Sequence, residues 1–150
     1  MSKVLTELTP EMMSVLQGQA IVLLNVVHKP SNTIYSTALS WVYAEDATKI
    51  RFAIDSKSDF ITIIEEDPKL VMNFIALESV YSVVGTANVV VKETEDTTLK
   101  LTIVEVQIDQ IRDIMFYGGK VTTNPEFIKT YKPELVVKLD EEAKQAVLSR

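Results

Sequence analysis

Residues 36–68 read STALSWVYAEDATKIRFAIDSKSDFITIIEEDP, two strands and a short helix joined by a polar turn. Thr33 to Ala44 is long enough for a bent strand, with Leu39, Trp41 and Tyr43 on one face and Ser36, Ala38, Ser40 and Val42 on the other, because side chains alternate along a strand. Glu45-Asp46-Ala47-Thr48 makes a hairpin turn, and Lys49 to Ile54 returns as a second strand. Asp55-Ser56-Lys57-Ser58 follows as a polar turn. Ser58 is placed to cap a short helix whose Phe60, Ile61, Ile63 and Ile64 form an apolar stripe, with Glu65 and Glu66 outside and Pro68 as the stop. Two hydroxyls, one ammonium and the amides of a helix N-terminus converge in that turn, a combination that suits an anion such as a phosphate. The plainer reading makes Ser58 a helix cap and Lys57 a solvated charge.

Outward from this stretch the chain stays rich in strands. Thr9-Pro10-Glu11 opens a helix that Gly18 ends, and Gln19 to Val27 has the branched composition of a strand buried on both faces. His28 to Asn32 is a turn. Leu70 to Leu77 and Val80 to Val91 read as strands, the second with Gly85 at a bulge or a close backbone approach. Lys92 to Thr98 is a charged turn before a further strand, Lys100 to Ile111. Beyond it, Phe116 to Lys120 breaks the pattern, Asn124-Pro125 starts a short helix, and Asp140-Glu141-Glu142 caps a last helix ending near Leu148. The expectation is one mainly β (α+β) domain over 1–150: an N-terminal helix in 1–18, a barrel of about six strands in 19–115, and a helical extension in 116–150.

Composition narrows the function classes. With 21 acidic against 15 basic residues and a net charge of −6, the surface repels polyphosphate, which argues against nucleic acid as a partner. The absence of cysteine excludes disulfides, thiolate zinc sites and a cysteine nucleophile, and makes the cytoplasm the expected compartment. The first residues do not read as a signal peptide, and the longest apolar run, Ala20 to Leu24, is far too short to span a membrane as a helix. A hydrophobic fraction of 47% points to apolar surface that meets a partner, most simply a second copy in a homodimer.

Catalytic constellations are sparse. His28 is the sole histidine, so neither a Ser/His/Asp triad nor a two-histidine metal site can be assembled, and no metal is expected. Tyr117-Gly118-Gly119-Lys120 resembles half a phosphate loop but lacks its first glycine and the Ser/Thr after the lysine. Trp41 and Tyr43 suit either a flat ring ligand or the core.

Strand, acidic turn, a strand carrying Arg51-Phe52, a serine-containing turn, a helix ending in Asp67-Pro68 and then a branched strand: this order resembles the pyridoxamine 5'-phosphate oxidase-like family of FMN-binding split barrels. Tyr81-Ser82-Val83-Val84-Gly85-Thr86-Ala87 is similar to a later strand of that family. The resemblance implies a six-stranded split β-barrel with short flanking helices, a two-fold homodimer, and FMN at the interface. Carried onto this chain, Ser56, Lys57 and Ser58 hold the phosphate, with Arg51 as a further base; Thr37 and Ser40 meet the isoalloxazine edge, and Tyr81 or Ser82 lines the site from a neighbouring strand. Three positions depart from the pattern: Phe60 stands where the family has a lysine, and Ala38 and Tyr43 stand where its oxidases have bases. The expected function is therefore flavin binding, as an oxidoreductase of undefined substrate rather than pyridoxamine 5'-phosphate oxidase itself. The alternatives are a dimeric interaction module that has lost flavin, or a barrel for haem or a deazaflavin, with His28 as its one imidazole.

Overall fold

The computed structural model describes residues 3–148. In chain order the elements are β1 (Val4–Leu5), α1 (Pro10–Val15), β2 (Val22–His28), β3 (Thr33–Leu39), β4 (Val42–Asp46), β5 (Lys49–Asp55), α2 (Asp59–Glu66), β6 (Lys69–Ala76), β7 (Ser79–Val91), β8 (Leu101–Asp113) and α3 (Pro133–Leu148). Two caps anticipated from the residues are present: the Thr9 hydroxyl accepts from the Met12 amide, and the Ser58 hydroxyl from the Phe60 amide.

All strands join one antiparallel sheet in the order β3-β2-β6-β7-β8-β5-β4, with β1 added against the end of β8. Val22, Leu24 and Val26 of β2 and Val42, Ile50 and Phe52 of β4 and β5 belong to one buried cluster, so the sheet wraps a single core. The outermost strands β3 and β4 are neighbours in the chain but not in the sheet. The architecture is thus a mainly β split barrel whose sheet does not close.

Among the described residues eight strands stand where six were expected. One is the two-residue β1. The other comes from Thr33 to Ala44, which breaks at Ser40-Trp41 into β3 and β4. Leu39 packs toward the main core, and so do Val42 and Ala44, whereas Trp41 and Tyr43 pack with α3. Simple alternation would keep Leu39, Trp41 and Tyr43 together, so the inward face switches parity across the break.

Gly85 does sit at a bulge: the β7–β8 register shifts between Val84 and Gly85. A Cβ there would come within 2.4 Å of Val106 Cγ1 and 2.9 Å of the Gln107 carbonyl oxygen, which excludes a side chain. The C-terminal expectations need correction. No helix starts at Asn124-Pro125; residues 114–132 form no helix or strand, and α3 begins at Pro133, well before Asp140. Proline suits the first turn of a helix, where no amide donor is required.

Strand β5 is buried on both sides. Ile50, Phe52 and Ile54 face the barrel, while Ala53 meets a second cluster with Leu101 and Ile103 of β8 and Ala143, Ala146 and Val147 of α3. Arg51, on that same outer side, lies 3.0 Å from Glu45 and 3.0 Å from Glu105 and donates to the Val147 carbonyl at 3.1 Å. Burial and the hydrogen bond to Glu105 push the Glu45 carboxyl above its ordinary value. A raised acid contributes stability that is full below its unfolded value and is lost as pH rises through the folded one. Removing the guanidinium leaves two facing carboxylates. Arg51→Ala is expected to destabilise the fold by about 3 kcal/mol in urea at neutral pH, with a smaller deficit at pH 4; equal deficits at the two pH values would contradict this account.

Candidate functional site

Because β3 and β4 do not pair, a cleft of about 570 Å³ opens at the Ser40-Trp41 break. Thr37, Leu39 and Ser40 form one wall; Ala53, Ile54 and Asp55 at the end of β5 form the other. Ser58 and Phe60 at the start of α2, with Phe127, Lys129 and Tyr131 from the irregular C-terminal segment, complete the lining. Most of the lining is apolar or aromatic, the usual make-up of a small-molecule site.

The C-terminal part of the lining is tied down. Asp140 of α3 accepts from the Trp41 indole Nε1 at 2.8 Å and pairs with the Lys129 ammonium, which lies 4.8 Å from the centre of the Trp41 ring. Trp41, Lys129 and Asp140 therefore form one unit in which hydrogen bond, ion pair and cation–π contact reinforce each other. Beside it, burial and the negative charges of Asp140 and Glu141 push the Tyr43 hydroxyl up to about 12, so it stays a neutral phenol.

The Asp55 to Ser58 turn does not present open amides. The Ser56 amide donates to the Lys100 carbonyl at 3.0 Å, Lys57 to Asp55 Oδ1 at 2.9 Å and Ser58 to the Asp55 carbonyl at 2.9 Å. The Phe60 amide donates to Ser58 Oγ at 3.2 Å and Ile61 to the Ser58 carbonyl at 3.3 Å. Carboxylate and hydroxyl here satisfy the turn's own backbone, the local competition that makes Asp and Ser turn-formers.

Of the residues named from sequence, the structure brings Thr37, Ser40 and Ser58 together in the cleft. Ser56 contacts Glu93 instead, at 3.3 Å, and Lys57 is exposed outside the cleft wall. Arg51 lies on the far side of β5, held by its two glutamates. Tyr81 stacks on Phe74 with ring centres 5.3 Å apart and lines a different cavity with Met12 and Phe116. Ser82 is paired in register with Asn73 and Arg112. His28 is remote from the cleft, its ring stacked on Tyr35 and its Nδ1 2.6 Å from Ser31 Oγ.

Four residues that shape the site were not marked in the sequence: Phe127, Lys129, Tyr131 and Asp140. The available signal was the period of two in Phe127, Lys129 and Tyr131, which puts three large side chains on one side of an extended segment.

No protein-family model matches the chain, and no curated protein matches its sequence. Solved structures do match. HupZ of Group A Streptococcus superposes with a TM-score of 0.61 at 14% identity, over 77% of this chain and 99% of its own. A candidate pyridoxamine 5'-phosphate oxidase from Lactobacillus delbrueckii gives 0.59 at 14% identity, over 71% and 94%. An F420 reductase gives 0.54 at 19% identity, over 65% and 93%. The fold is that of the pyridoxamine 5'-phosphate oxidase-like split barrels.

The Asp140 tether predicts a measurable role for the segment before α3. In Asp140→Ala, Lys129 and the Trp41 indole lose a shared acceptor, and limited proteolysis within residues 116–132 should accelerate severalfold. Unchanged cleavage kinetics would mean that the segment is held by its apolar contacts alone.

Proposed function

We propose that this split barrel binds a flavin, with the flat isoalloxazine ring in the cleft beside Trp41. The observation that carries the proposal is the cleft itself, an aromatic-lined opening in a sheet of this fold that lies between Trp41, Phe60, Phe127 and Tyr131. Its volume falls within the range usual for cofactor sites. The ring end of FMN, the form that the resemblance implies, fits this lining: aromatic faces offer stacking area, and Thr37 and Ser40 offer hydroxyls to the polar ring edge. The phosphate end fits poorly, because the turn amides are already donated within the chain. A bound flavin supplies hydride or electron transfer. The chain's own part is to orient the ring between the aromatic side chains of the lining and hold the neutral Tyr43 behind Trp41.

Saturable quenching of flavin fluorescence on titration is the expected result. Thr37→Val combined with Ser40→Ala should weaken binding by roughly tenfold, two hydrogen bonds of about 0.5–1.5 kcal/mol each. If no flavin is quenched at any concentration, the flavin-free interaction module replaces this reading.

The protein is proposed to act as a homodimer through the outer face of β3, β2, β6 and β7. Leu23, Asn25, Val27, Ala38, Val71 and Asn73 share that face by register, and the charged residue beside them, Lys69 of β6, is paired with Asp109. Leu23 is 45% and Ile34 69% exposed. Two copies of a chain with net charge −6 can meet on such a face without opposing like charges. Sedimentation of Leu23→Asp with Ile34→Asp should show a monomer where the parent chain is a dimer.

A further inference from the structure

We infer that the cleft selects a flavin whose side chain ends in a neutral group over its phosphate ester, in a reading that rests on flavin binding as proposed above. Anion sites at helix starts work through unsatisfied amides and the dipole. Here five of the amides between Ser56 and Ile61 are donated to Lys100, Asp55 and Ser58, and Asp59 itself carries a carboxylate.

Charge points the same way. The turn holds Asp55, Lys57 and Asp59, two carboxylates against one ammonium, and Asp55 lines the cleft while the Lys57 side chain does not. The ammonium that does reach the cleft, Lys129, is paired with Asp140 beneath the Trp41 ring. Arg51 is engaged by Glu45, Glu105 and the Val147 carbonyl on the opposite side of β5. A phosphate monoester carries about −1.5 to −2 charge at neutral pH. It would meet carboxylates in place of charge-assisted donors. A hydroxyl-terminated chain of the riboflavin type makes no such demand: the Ser58 hydroxyl keeps lone-pair capacity while capping α2, and Asp55 retains an oxygen to accept an alcohol proton.

The test is a competitive fluorescence titration of the full chain with riboflavin and with FMN at low ionic strength. Riboflavin is expected to bind roughly tenfold more tightly or better, with the gap narrowing at 0.5 M salt, where exposed charges are screened. Asp59→Asn, an exposed change at the helix start, should raise FMN affinity about threefold and leave riboflavin affinity where it was. Equal or tighter binding of FMN by the parent chain would overturn the selectivity and leave the flavin reading standing. Binding of neither ligand would overturn both.

Discussion

Side-chain parity inverts between Leu39 and Val42, and that inversion sets where the sheet opens. A strand continuing through Ser40 and Trp41 would carry Trp41 inward beside Leu39. Instead Val42 enters the core, β4 turns to pair with β5, and the sheet is left unclosed between its two ends. From this one switch follow the cleft at the break, the outward placement of Trp41 and Tyr43, and a seat for α3 against β5. Asp140 then locks the arrangement by binding the Trp41 indole across 99 residues of chain.

Much of the scaffold was legible because its signals are local and redundant. Branched residues in β2, β6 and β7, the hydroxyl caps Thr9 and Ser58, and Gly85 at its bulge each report a backbone requirement that neighbouring residues confirm. The break at Ser40-Trp41 left no such mark. Small and apolar residues alternate smoothly through it, and the face that each takes is decided by β2 on one side and β5 on the other. Asn124-Pro125 failed as a helix start for a related reason. Phe127, Lys129 and Tyr131 all line the cleft, a sharing of one side that an extended segment with period two allows and a helix would not.

The Asp55 to Ser58 turn shows how one composition supports two opposite functions. Hydroxyls and a carboxylate beside a helix N-terminus can leave the backbone amides open to an anion, or take those amides for themselves. Sequence cannot separate the two, since the outcome depends on side-chain torsions and on whether Lys100 offers its carbonyl to Ser56. In this chain the turn closes on itself. The hydrogen bonds that rigidify it are the ones a phosphate would have needed.

Arg51 and Lys129 are likewise engaged, the first by two glutamates on the far side of β5 and the second by Asp140 at the cleft. Charges held this way tie α3 and the segment before it to the outer side of the sheet, and they leave aromatic faces and neutral hydroxyls as the main chemistry of the cleft lining. The neighbours, at 14–19% identity and TM-scores of 0.54–0.61, share the strand framework with so little sequence that few side chains are held in common. A shared strand order therefore reaches this chain without its neighbours' ligands, because the hydrogen bonds of a turn such as Asp55 to Ser58 can be reassigned by a handful of substitutions.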